Sequence, residues 1–560
     1  MMQYNLFTPG IFLILASIPL SFVSKRFFRP AAVVLLLLSY LVLCVGMNKW
    51  NFYWYEQFLF SDERVLFILT SLFFLVLFLS TIIFADESHQ SSKPLALAFV
   101  YVGSTVSILF TKNLLCILFF LELMMLSATL ILFSNRDELS KRESLNYFRL
   151  HMIGSALLLL GVMSYYYSYD TFELDLFDND SFHDFSSICL VLGLLVNLAV
   201  PPFSSWLLGS YIIVPPSLSL LFAICTTKIS ALLLMKLFAG WHALIFIGII
   251  TAAYGTIYSI FENNIRRTIL YFILAEIGVT LIFIGIGEKT MTTALLFIIN
   301  DLLCIPTILC SGNLIIRLFK KENFSEIRSI PNNSRLIILL NSIALLSIAA
   351  APFTLGYISK QYLYSTEYLS KAPWLSSTLS LLCGGIVFAI GLKFTVFTFF
   401  KNPTGKQHKK SLTKGLNVKT CVPYIFALTT LYASLIALTA YFIMTLGMEA
   451  VEIDDFSLKQ VQSLLAAGVI FSISKKYIIY AKDMYSLDPN ILYLKAGSWI
   501  NTSVLAIRHH LNRLANTINL RAFNIKPSAH YIKRLITPHK MNLSLALSIT
   551  LLIIALLLKK

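Results

Sequence analysis

Charge is scarce in this sequence. Only 13% of its 560 residues are Asp, Glu, Lys or Arg, about half of the roughly 25% usual in a soluble domain. Cysteine is present without pattern. The eight cysteines, at positions 44, 116, 189, 225, 304, 310, 383 and 421, lie in or beside apolar stretches and form no C-x-x-C pair. That disfavours metal ligation and structural disulfides and leaves small buried hydrophobes. No nucleotide loop, G-x-S-x-G, His/Cys metal cluster or catalytic triad stands out, so the chain is not expected to be an enzyme on its own account. The first positive charges follow the first apolar run, the reverse of a cleavable signal, so that run is expected to remain as a helix.

What the chain has is apolar surface. It is 57% hydrophobic, with a mean hydropathy of +0.78. One membrane span needs about 20 mostly apolar residues, so the content would fill on the order of sixteen spans. A soluble enzyme, a nucleic-acid binder and a disulfide-rich secreted domain are excluded as readings. The net charge of +16 then belongs to cytoplasmic loops, not to a polyanion site. The expected fold is an all-α polytopic membrane protein with about 14–16 transmembrane helices.

Sixteen apolar runs can be read directly, near 9–23, 30–48, 64–85, 94–111, 113–133, 146–168, 185–203, 211–238, 242–261, 268–287, 292–317, 335–364, 374–400, 421–447, 459–474 and 542–558. Pro215-Pro216 and Pro352 interrupt the sequence near the cuts at 212 and 353. Basic loops orient the runs. Lys25, Arg26 and Arg29 lie in the first connection, Arg266 and Arg267 in the ninth, and six lysines in 401–419. Eleven Lys/Arg occupy 475–540, whereas Asp170–Asp184 holds six carboxylates and no Lys/Arg. The basic loops fall on one side, expected to be the cytoplasm, and both termini on the other. Within 484–540, Val504, Leu511, Leu514, Ile518 and Phe523 recur at helical spacing, which suggests a basic helix in the cytoplasmic interface.

A charge at mid-bilayer costs about 2.5–3.5 kcal/mol on insertion scales. The ionisable groups inside the runs are therefore the candidates for function: Glu122, Lys228, Glu276, Asp301, Lys360 and Lys393. Glu122, Lys228 and Lys360 have long apolar flanks on both sides. Lys393 has a bland alternative in snorkelling to the interface, Asp301 in a structural hydrogen bond, and Glu276 in pairing with a nearby arginine. His151 is a further candidate. A buried lysine beside a carboxylate can load and release a proton as its neighbour's charge changes, which points to proton movement.

Pro201-Pro202 break the seventh run and Pro352 the twelfth. Broken helices at membrane depth need protein or a wet cavity to satisfy the freed backbone. Their five-run offset suggests two inverted five-helix repeats. The expected domains are N-terminal helices in 1–90, a first repeat in 91–240, a second in 241–402, further helices in 403–480, the basic segment 481–541 and a last helix in 542–560.

Together these segments resemble the proton-conducting antiporter-like family shared by Mrp-type cation/proton antiporters and respiratory complex I. The likeness rests on Phe120-Leu121-Glu122-Leu123-Met124, on Asn197 through Pro201-Pro202 to Trp206-Leu207, and on Thr226-Thr227-Lys228. It rests also on Glu262-Asn263-Asn264-Ile265-Arg266-Arg267 and on Ala351-Pro352-Phe353 through Lys360. Phe397-Thr398-Phe399-Phe400 with Gly405 and the basic tail look closest to the D-type member of Mrp antiporters. The resemblance implies Glu122 as a modulator, Lys228 as central relay and Lys360 as exit group. It implies no bound cofactor, other membrane subunits as partners, protons and Na+ as cargo, and a multi-pass place in a bacterial inner membrane. The sequence departs from the family at Asn197, where many members carry lysine, at Asn300 and Cys304, at Gly209 and at Glu276.

Overall fold

The computed structural model describes residues 8–23, 25–49, 62–86, 92–134, 137–173, 184–287, 290–327, 342, 344–364, 372–396, 422–446, 462 and 465–473. They are almost wholly helical. The helices are α1 (Pro9–Phe22), α2 (Lys25–Lys49), α3 (Glu63–Asp86), α4 (Lys93–Leu109), α5 (Leu114–Phe133), α6 (Glu138–Tyr169), α7 (Phe185–Asn197) and α8 (Ser205–Ile213). They continue as α9 (Pro216–Phe238), α10 (Ala243–Phe261), α11 (Ile265–Ile286), α12 (Met291–Phe319), α13 (Leu355–Tyr364), α14 (Pro373–Ile386) and α15 (Val422–Leu446). A π-helix, Val387–Phe394, prolongs α14. Helical residues also occupy 344–348 and 465–473.

Ten of these helices are long and apolar enough to cross a membrane, and α1, α4 and α7 are shorter apolar ones. The protein is an all-α, multi-pass membrane protein. Helix is found at each of the first fifteen apolar runs. The sixteenth run, the interfacial helix expected in 484–540 and the lysine-rich loop 401–419 lie outside the described residues. Some boundaries differ from the sequence reading: α2 begins at Lys25 and α6 at Glu138, ahead of the apolar runs near 30 and 146. The run at 211–238 starts at Pro216, and residues 205–213 form α8, the second half of the broken helix. Apolar sequence continues without pause from 205 to 238, so hydropathy alone could not place that cut, whereas Pro215-Pro216 does.

The helices sort by burial. α9 and α11 are enclosed on every side and α12 nearly so, while α2 and α15 expose most of their apolar surface. The centre is therefore α9, α11 and α12, with the other helices around it. Small residues let the second half close tightly. A side chain at Gly278 would overlap the Ala252 backbone, and one at Gly255 would overlap Ala275, so α10 and α11 pack backbone to backbone.

Both broken helices stop in the same way. Ala199 N donates to Val196 O (3.0 Å) and Val200 N to Leu195 O (3.1 Å), with Ala199 at φ 58°. Ala350 N donates to Ser347 O (3.0 Å) and Ala351 N to Leu346 O (2.9 Å), with Ala350 at φ 54°. Each is a Schellman stop, which satisfies carbonyls that a break would orphan inside the membrane.

Other features recur about 150 residues apart. Asn113 caps α5 by accepting from Leu115 N (3.0 Å) and Cys116 N (3.1 Å), and Asn264 caps α11 by accepting from Arg267 N (3.1 Å). Leu114 N donates to Phe172 O and Ile265 N to Glu322 O, both at 2.8 Å. Asp170 and Lys320 end α6 and α12 in the left-handed conformation.

Candidate functional site

The centre of the bundle holds four of the candidate groups. Lys228 on α9 donates from Nζ to Asp301 Oδ2 on α12 at 2.5 Å, and the two side chains are 1% and 0% exposed. Glu276 on α11 is also buried, within electrostatic reach of Asp301, Lys360 and Lys228. Lys360 on α13 is buried and donates to Ile348 O at 3.0 Å, on the segment just before the second helix break. Two lysines and two acidic residues thus share a region closed to solvent, where any charged form needs an opposite partner. Asp301 Oδ1 has no hydrogen-bond partner among the described residues. It is an acceptor left open beside the pair.

The hydrogen bond expected of Asp301 is made to Lys228, on another helix. Glu276 faces the two lysines and not an arginine. Arg266 points elsewhere: it donates to Asn313 Oδ1 (3.1 Å) and Ile212 O (2.9 Å), and Asn313 in turn donates to Pro216 O (3.2 Å) and Ser219 Oγ (3.0 Å). That network ties the end of α8 and the start of α9 to α11 and α12.

The second break is braced beside this cluster. Ser347 Oγ donates to Asn300 Oδ1 at 2.7 Å and accepts from Gly356 N at 3.2 Å. Cys304 Sγ lies 3.5 Å from the same Asn300 oxygen. Asn300, next to Asp301 in sequence, thus fixes the ends of the broken helix on both sides of Pro352.

His151 and Asn197 come together away from the ion pair. The His151 ring stands against the Asn197 side chain, with ring centroids 4.2 Å from Tyr147 and 4.6 Å from Trp206. Trp206 donates from Nε1 to Val196 O at 2.9 Å and so braces the break marked by Pro201 and Pro202. Tyr101 OH and Thr226 Oγ1 meet at 2.6 Å, and the hydroxyls of Tyr147 and Tyr211 face the same threonine from beyond hydrogen-bonding distance. This tyrosine group was missed in the sequence, where a tyrosine in an apolar run reads as apolar. Thr226 faces α4 while Lys228, two residues on, faces α12, as helical spacing requires. α9 therefore separates two polar sites.

Glu122 and Lys393 stand outside the central cluster. Glu122 is half-buried, with Ser155 on α6 within electrostatic reach of its side chain. It sits on a stripe of α5 whose other members, Leu115, Phe119, Leu126 and Leu130, are exposed. Lys393, in the π-helix, does not snorkel. It is buried and donates to Ser259 O (3.0 Å) and to Glu262 O, capping the C-terminus of α10, with the Phe324 ring 5.3 Å away.

The chain has relatives among known proteins. Residues 111–387 match the family described as NADH:quinone oxidoreductase/Mrp antiporter, TM. Those residues belong to this family. The D subunit of the Na(+)/H(+) antiporter of Bacillus subtilis is 23% identical over 316 residues, 53% of this chain and 64% of that protein's length. The N 1 subunit of NADH-quinone oxidoreductase of Chloroherpeton thalassium is 22% identical over 378 residues, 63% of this chain and 78% of the relative. In folded shape, one chain of the Mrp complex from a Dietzia species matches with a TM-score of 0.68 at 12% identity, covering 94% of this chain and 64% of that one. One chain of respiratory complex I from Thermus thermophilus matches with a TM-score of 0.63 at 16% identity, covering 76% and 97%. At these identities the solved structures establish a shared fold.

Proposed function

We propose that this chain is the ion-translocating, proton-conducting subunit of a multi-subunit Na+/proton antiporter in a bacterial inner membrane. The observation that carries the reading is the buried Lys228–Asp301 pair with Glu276 and Lys360 in reach. A proton arriving on either carboxylate removes one negative charge beside the lysines. The ammonium groups then release a proton more readily. Four such groups on α9, α11, α12 and α13 make a relay whose protonation states depend on one another. Lys228 is the central relay and Lys360, beside the second break, the exit group. Glu122 acts as modulator from the outer face, and His151 with Asn197 belongs to the first half.

The halves 91–240 and 241–402 are inverted repeats in this reading, which the paired caps, left-handed stops and Schellman breaks about 150 residues apart support. Other membrane subunits are the expected partners. A carboxylate facing lipid would cost about 2.5–3.5 kcal/mol, and a neighbouring subunit over the α5 stripe would remove that cost at Glu122.

A second reading, an antiporter-like subunit of a complex I-type NADH:quinone oxidoreductase, is supported by the shape match to the Thermus thermophilus chain. Purification of the tagged full-length chain in mild detergent separates the two. The first reading expects small membrane antiporter subunits to co-purify. Iron–sulfur and flavin proteins in their place would overturn it. Lys360→Met, assembled at the normal level, should lower cation-driven proton flux at least ten-fold. Unchanged flux would leave a non-conducting scaffold.

A further inference from the structure

A cavity of about 450 Å³ opens among one end of each of α2, α3, α4 and α15. Its wall is apolar, formed by Phe28, Val33, Ile82, Leu95 and Pro423, and it carries one charged side chain, Arg29. The starts of α2, α4 and α15 all lie at this end. Each helix N-terminus presents unpaired N–H groups and a partial positive charge. An apolar slot thus ends in a region that favours an anion. The neighbouring face of α2 is open as well, with Val34, Leu37, Leu38 and Leu41 exposed.

We infer that this cavity is a binding site for one anionic phospholipid, its acyl chain in the slot and its headgroup phosphate on Arg29. The volume suits a small apolar ligand, for which pockets run to roughly 300–1,000 Å³. A partner helix fits poorly, because a helix about 10 Å across fills on the order of 450 Å³ in a single turn. The cation sets the headgroup preference: attraction of about 1 kcal/mol for one basic side chain at a membrane surface corresponds to a roughly five-fold preference for an anionic lipid over a zwitterionic one. The site lies apart from the Lys228 cluster and does not depend on the transport reading.

The test uses the full chain with its co-purifying subunits in mild detergent, delipidated and then given phosphatidylglycerol, phosphatidylcholine or inorganic phosphate. Native mass spectrometry counts bound lipid, and the thermal midpoint reports stabilisation. One phosphatidylglycerol should be retained at about five-fold lower lipid concentration than phosphatidylcholine, and inorganic phosphate should have no effect. Arg29→Gln should make the two lipids equivalent while a lipid is still held. Val33→Trp, which fills the slot, should abolish retention. Equal retention of both lipids by the wild type, an equal midpoint shift with inorganic phosphate, or undiminished phosphatidylglycerol binding by Val33→Trp would each overturn the proposal.

Discussion

The ammonium of Lys228 and the carboxylate of Asp301 meet at 2.5 Å across the α9–α12 boundary, with neither side chain more than 1% exposed. Seventy-three positions separate them in the sequence. A pair so buried is held together because each partner would be stranded without the other. It adds little to stability compared with a well-packed apolar pair, yet breaking it is costly.

Removing one partner should therefore unfold more than removing both. Lys228→Ala leaves Asp301 buried without its hydrogen-bonded partner, and should cost about 3–5 kcal/mol. Lys228→Met combined with Asp301→Leu should recover most of that loss. Thermal unfolding of the detergent-solubilised protein checks the order. A double variant no more stable than Lys228→Ala would show that the pair is not an isolated unit.

Lys393 is expected to stabilise the fold through α10. Its ammonium satisfies carbonyls at a helix C-terminus, where a cation interacts favourably with the helix dipole. Lys393→Met strands those carbonyls and should lower stability by about 1–3 kcal/mol. A thermal midpoint unchanged from wild type would show that the cap contributes nothing.

The α10–α11 contact should be intolerant of bulk. Gly278→Val forces a branched side chain into the Ala252 backbone. The helices must separate, and overpacking typically costs about 1–3 kcal/mol. The membrane yield and thermal midpoint of Gly278→Val should both fall, while Gly468→Val, at a position where nothing lies within 4 Å, should leave both unchanged.

Asp137 offers a pH-dependent test outside the membrane. Hydrogen bonding to Ser140 at the start of α6 holds its carboxyl below the ordinary 3.8. A carboxylate depressed in the folded state stabilises above its unfolded value, and that contribution is lost as pH falls through the folded one. Asp137→Asn should therefore loosen the first turn of α6 at neutral pH. The difference from wild type should shrink below about pH 4. Hydrogen exchange at the amides of residues 138–142 measures it. A difference that persists at low pH would contradict the assignment.

Much of the helix layout was legible because apolar runs and basic loops report the membrane directly. The break residues Pro201, Pro202 and Pro352 were visible for the same reason, since proline inside a span has few other uses. What could not be read was partnership. Nothing local in the sequence ties Lys228 to Asp301. Glu276 stands nearer in sequence to Arg266 and Arg267 than to either lysine, and helix packing decided otherwise. Lys393 resembled an interfacial lysine by its distance from Lys401, yet the π-helix sets it against the end of α10. Glu122 was expected in the same corridor as Lys228 and stands instead on the outer stripe of α5, because the face of a uniformly apolar helix carries no signal of which side is inside. The tyrosines around Thr226 were hidden in the same way.

Proton flux driven by a cation gradient, measured in vesicles and scaled to the amount of assembled chain, tests the central claim most directly when made on Lys228→Met with Asp301→Leu. That variant removes the charges while restoring the packing. A relay through Lys228 predicts flux below one-tenth of the wild-type rate in a stable, assembled protein. Wild-type flux from the same protein would contradict it.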